Sequence, residues 1–132
     1  MTERQGGYAF PTSAVSAEDC REMSEVRAEI DRLDRIVVAL LAERTRYIEA
    51  AGRIKGRVDD VRLEWRIEEV VSKVLAAAAR EDLPPDIAEP VWRLLIDRSI
   101  AHEFDVWRAL RADEPASAES TVESEKDLRS MP

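Results

Sequence analysis

Two cations stand out in the first half of the chain because of where they fall. Positions 30, 33, 37, 40, 44, 47, 51, 54 and 58 step by alternating threes and fours, and each carries an apolar or small side chain except Arg44. A cation in a hydrophobic seam is costly unless an anion meets it. Lys55 follows eleven residues later. At about 100° per residue that is three helical turns plus roughly 20°, so both cations face one side, about 16 Å apart along the axis. Long side chains on such a line can converge on a small ligand between them. The chemistry they offer is carboxylate binding, together with stabilisation of negative charge as it develops.

Other residues extend the constellation. Arg27 lies on the same helix but is turned by roughly 90° from that line. It does not reach the pocket of its own chain comfortably, though in a dimer it could enter the partner's. Arg66 opens the second helix beside Ile67. On the third helix Ser99 and Glu103 are four apart, on the line through Ile96, Ile100, Trp107 and Leu110. Each residue also has a plainer reading: Arg44 in an ion pair with Glu103, Lys55 as a complement to the helix dipole, Arg27 as a surface arginine, Ser99 as a small packing residue. Taken together, several cations and one acid interrupting apolar stripes on separate helices describe a preorganised anion site. Trp65, Trp92 and Trp107 read as structural, and His102 as a residue of a solvated face.

Three helices position these groups. The chain has 132 residues, 36% charged and 5% aromatic, with four glycines. This is the composition of an all-α domain rather than of a sandwich or barrel. The first helix, starting from Ser24 or Asp19 and loosening at Gly56, is ~35 residues and about 50 Å long. The second starts near Leu63 and stops before Pro84-Pro85, with Ile67, Val70, Val71, Val74, Leu75 and Ala78 inward. The third runs from Pro85 to Leu110, bent rather than broken by Pro90. The second and third helices are too short to cover the first, so a homodimer pairing the first helices is expected. Residues 1–17 and 112–132 read as flexible tails around a body of residues 18–111.

Bulk properties exclude several functions. A net charge of -8 argues against a nucleic-acid partner. Cys20 and His102 are the only residues of their types, so neither a disulfide nor a cysteine- or histidine-rich metal site is expected. Without a signal-peptide pattern or an apolar span, the expected setting is cytoplasmic, with no membrane partner.

The runs Val26-Arg27-Ala28-Glu29-Ile30-Asp31-Arg32-Leu33-Asp34 and Leu40-Leu41-Ala42-Glu43-Arg44, followed by Lys55, resemble the first helix of the all-helical chorismate mutases, a pattern shared by the related isochorismate pyruvate lyases. The resemblance covers about residues 22 to 111. It implies an intertwined dimer of three-helix protomers with two identical sites, and a small dicarboxylate substrate rearranged from chorismate to prephenate with no cofactor and no covalent intermediate. Arg27 would cross from the partner, Arg44 and Arg66 would hold the carboxylates, and Lys55 would donate to the ether oxygen. Two positions depart from that pattern. Glu103 stands where many mutases carry a glutamine; ionised, it cannot donate, so it is either protonated or paired with Lys55. A protonated donor predicts activity that rises as pH falls. Ile67 stands where mutases carry a glutamate that contacts the ring hydroxyl, as in the lyases, unless a one-residue shift brings Glu68 into place. The alternatives are an isochorismate pyruvate lyase, a 4-amino-4-deoxychorismate mutase, or a non-catalytic, mutase-like regulatory protein.

Overall fold

The proline pair and the periodicity of the apolar residues divide the chain as expected. A computed structural model describes residues 2–5 and 8–112. Its helices are α1 (Met23–Ile54), α2 (Glu64–Arg80) and α3 (Pro85–Ala112), so the fold is all-α. The chain divides into two compact units, residues 1–44 and 45–132.

In the first unit the main chain does more than the composition announces. Strands β1 (Thr2–Gln5) and β2 (Tyr8–Pro11) pair antiparallel, with Thr2 opposite Pro11 and Gln5 opposite Tyr8. The sequence reading leaves these residues without regular structure. Ladder hydrogen bonds need no apolar alternation, and the Gly6-Gly7 dipeptide between the strands is a hairpin signal in its own right. Residues 11–15 are then tied to α1. Arg32 donates to the Pro11 carbonyl at 2.8 Å and to Glu29 at 2.8 Å, while the Ala14 and Val15 amides donate to Glu29 at 3.2 and 3.4 Å. The Arg32 hydrogen bond holds the Glu29 carboxyl below the usual glutamate range. Upstream of α1, the Arg21 and Glu22 amides donate to Glu25. Ser24 lies inside the helix, and Asp19 belongs to a short 3-10 turn. Neither expected cap is used there.

In the second unit α2 starts where expected: Leu63 is the extended residue before it, and its carbonyl accepts the Arg66 and Ile67 amides. The helix ends in a left-handed residue, Asp82, with φ 57°. The Leu83 amide reaches back to the Ala78 carbonyl at 2.8 Å and the Asp82 amide to Ala79. This pattern satisfies the last carbonyls and usually takes glycine at the turning residue. Pro84 accepts the first α3 amides, those of Ile87 and Ala88, and Pro85 needs no donor in the first turn. Pro90 lies inside α3, which continues past it to Ala112. From residue 113 the expected C-terminal tail lies outside the described residues.

The core of this unit is made by two ridges. Ile67, Val71 and Ile96 are buried, with Val70, Leu75, Trp92 and Ile100 packed against them. Ile67, Val71 and Leu75 are four apart on α2, as are Trp92, Ile96 and Ile100 on α3, which is ridge-into-groove spacing. Each such aliphatic side chain contributes roughly 1.5–3 kcal/mol when fully buried. Trp65, by contrast, is exposed.

Candidate active site

A single residue line on α3 grips the end of α1. Gly52 lets the two helices approach: a Cβ there would sit 3.2 Å from the Glu103 carbonyl oxygen and 3.3 Å from Val106 Cγ1. Three turns of α3 then reach Lys55. Glu103 Oε2 accepts from Lys55 Nζ at 2.7 Å, Trp107 Nε1 donates to the Lys55 carbonyl at 3.0 Å, and Arg111 donates to the carbonyls of Lys55 and Gly52. The Gly52 carbonyl belongs to the last turn of α1, whose oxygens have no partner within the helix, and the Lys55 carbonyl follows directly after it. The Arg111 guanidinium stacks 4.6 Å from the centre of the Trp107 ring and brings positive charge to the negative end of the helix.

The ion pair is the electrostatic centre. The Glu103 side chain is 5% exposed and that of Lys55 26%. A carboxylate this buried is costly without a cation beside it, and Lys55 supplies one. An ammonium carries three donors, so the pair leaves Lys55 with hydrogen-bonding capacity for an oxygen of a bound anion. One turn before Glu103, Ser99 is half-buried.

The other candidate residues are placed as follows. Arg27 is exposed and Arg44 half-buried, both on α1. Arg66 is exposed and donates to Glu69 at 2.6 Å, one turn along α2; that bond holds the Glu69 carboxyl below its usual range. Ile67 is buried in the core. Glu68 points elsewhere, in a two-pronged pair with Arg93 at 3.0 Å on each prong, and Arg93 holds its carboxyl low. The residue after Arg66 that turns into the core is therefore Ile67, while Glu68 turns to Arg93. A cleft of about 430 Å³ beside it is walled by Arg62, Arg93 and three carboxylates, Glu64, Glu68 and Asp97. Lys55 and Glu103 are not among its walls, and its acids outnumber its cations.

Sequence reasoning missed two contributors. Arg111 and Trp107 act on backbone carbonyls, which side-chain patterns do not flag; the signal available was the spacing 99, 103, 107, 111 on one helix line. His102 pairs with Glu49 of α1 at 2.7 Å, both side chains being 44% exposed, in keeping with its reading as a residue of a solvated face.

The family model for chorismate mutase type II matches residues 26–104, more than half of the chain. The chain belongs to that family. The candidate residues Arg27, Arg44, Lys55, Arg66, Ser99 and Glu103 all lie within the matched segment. As a chorismate mutase type II family member, it is similar to the isochorismate pyruvate lyase of Pseudomonas aeruginosa, with 28% identity over 94 residues. The match spans 71% of this chain and 93% of the relative. Arg111 and Trp107 lie beyond the end of the family match.

Proposed function

We propose that this protein is a cytoplasmic, cofactor-free enzyme that rearranges chorismate to prephenate. The observation that carries the reading is the Lys55–Glu103 pair, an ammonium fixed at a helix end by a buried carboxylate. In the rearrangement the ether carbon–oxygen bond breaks while a carbon–carbon bond forms from the enolpyruvyl methylene to the ring, and no proton changes hands. Negative charge grows on the ether oxygen as the bond lengthens. A fixed ammonium stabilises that charge most at the transition state. Arg44 and Arg66 hold the two carboxylates and so select the folded conformer that reacts.

The working unit we propose is a homodimer, with Arg27 of each protomer entering the site of the other. Supporting this, Ile30, Leu33, Val37 and Leu40 along α1 are each between 42% and 50% exposed, an apolar stripe that a second copy of the same helix would cover.

A second reading, loss of pyruvate from isochorismate, is favoured by one feature. The inward residue after Arg66 is the aliphatic Ile67, which offers a ring hydroxyl no hydrogen bond. The named activity of the Pseudomonas aeruginosa relative agrees with it. Incubation with chorismate, isochorismate and 4-amino-4-deoxychorismate, with products identified in each case, separates the readings. Prephenate from chorismate is the expected result. Turnover of isochorismate alone assigns the lyase, and turnover of none, with Arg44→Ala leaving binding of a bicyclic transition-state mimic intact, overturns the enzyme reading.

A further inference from the structure

We infer that Trp107 and Arg111 are positioning residues for the Lys55 ammonium, an inference that rests on the functional reading above. Residues 103, 107 and 111 are successive i+4 steps on α3 and so lie on one helix face. All three hold Lys55: Glu103 takes the ammonium, Trp107 the carbonyl, and Arg111 the same carbonyl together with that of Gly52.

The need for such a brace follows from where Lys55 sits. It is the first residue after α1, its amide bonding back to Ala51 at 2.9 Å, and the exposed Gly56 follows. A helix end of this kind frays readily, because its last carbonyls lack partners, and a following glycine adds backbone freedom. A lysine at a fraying end is a poor electrostatic catalyst, since its charge must already be in place when the ether bond breaks. Two donors on the Lys55 carbonyl fix its backbone, and Glu103 then fixes the far end of its side chain. The guanidinium–indole stack keeps the two donors together. Arg111 therefore governs the reaction through Lys55 without touching substrate.

The test uses the full chain with Trp107→Phe, which removes one donor and keeps a ring, together with Arg111→Met and Arg111→Lys. Steady-state kinetics with chorismate are combined with NMR detection of the Lys55 ammonium, which is tractable because Lys73 and Lys126 are the other lysines. We expect Trp107→Phe and Arg111→Met to lower kcat about ten- to hundredfold, the size of effect that follows from misplacing a catalytic group by about 1 Å. KM should stay within about twofold, the Lys55 ammonium signal should broaden, and Arg111→Lys should restore part of kcat. If Arg111→Met does not fold, Trp107→Phe carries the test. Folded variants with unchanged kcat overturn the inference. So does a fall in kcat with an unchanged Lys55 signal, since the effect then bypasses that residue. If the parent turns over none of the three substrates, the functional reading fails by itself. The ammonium signal still decides whether Trp107 and Arg111 hold Lys55.

Discussion

The Lys55–Glu103 and Arg93–Glu68 pairs look alike as distances, at 2.7 and 3.0 Å, yet they play opposite parts. Arg93 and Glu68 stand in solvent, where water and salt screen the attraction and long side chains lose entropy to hold it. Glu103 is buried against the close approach at Gly52, where its charge has to be met by a specific partner. Hydrophobic residues of similar size would fill such a place at less cost. A charged pair retained there points to chemistry rather than to stability, and the exposed pair to ordinary surface complementarity.

Substitutions can break this contrast, and the largest effect is expected at its buried end. Lys55→Met removes the ammonium while keeping the stem, and should lower kcat at least about a hundredfold, in the range seen for loss of a single preorganised oxyanion donor. Unchanged kcat would move the chemistry elsewhere. Glu103→Leu leaves Lys55 facing an apolar wall. It should destabilise the fold by about 2–3 kcal/mol in chemical denaturation, less than the roughly 3–5 of a pair buried at both ends, because Lys55 is partly hydrated. Glu103→Gln keeps the shape and donates at any pH. Because Glu103 is the carboxylate that meets the Lys55 ammonium, the variant loses that charge partner and a lower rate toward chorismate is expected. An unchanged rate would exclude that role.

Gly52→Ala is the next step down. Alanine gains up to about 1 kcal/mol of helix propensity, but its methyl presses on the α3 backbone at Glu103 and on a branched valine. A net loss of about 1 kcal/mol is expected, with a visible drop in kcat as the pair is pushed apart. The smallest effect belongs to the exposed pair. Arg93 lowers the Glu68 pKa in the folded state, so its stabilisation is present above the unfolded value, near 4.3, and fades as pH falls through the lower folded value. Glu68→Gln should therefore leave the melting temperature nearly unchanged at neutral pH and moderate salt, and should flatten part of its decline below about pH 4.3. A large loss at neutral pH would show that this pair is not merely superficial.

The two ends of this comparison were not equally legible in the sequence. The helices were, because threefold and fourfold apolar steps and the Pro84-Pro85 stop are local signals. Lys55 and Glu103 were visible as charges out of place on apolar lines. Their direct pairing was one of two options, since nothing local decides whether Glu103 meets Arg44 or Lys55. The N-terminal hairpin was missed because its pairing is a matter of backbone rather than side-chain alternation. Arg111 was missed for a related reason: its partners are carbonyl oxygens, which every residue has. The register after Arg66 required the structure, because only packing shows that Ile67 faces in while Glu68 turns to Arg93.

The spacing of 103, 107 and 111 has a consequence for how this segment can vary. Because all three contacts depend on one helix face, a single inserted or deleted residue between Glu103 and Arg111 rotates the later members by about 100° and separates the charge partner of Lys55 from its backbone brace. Substitutions there can be graded one at a time, but a change in length is all or nothing. In this chain that stretch of α3 therefore acts as a ruler of fixed length.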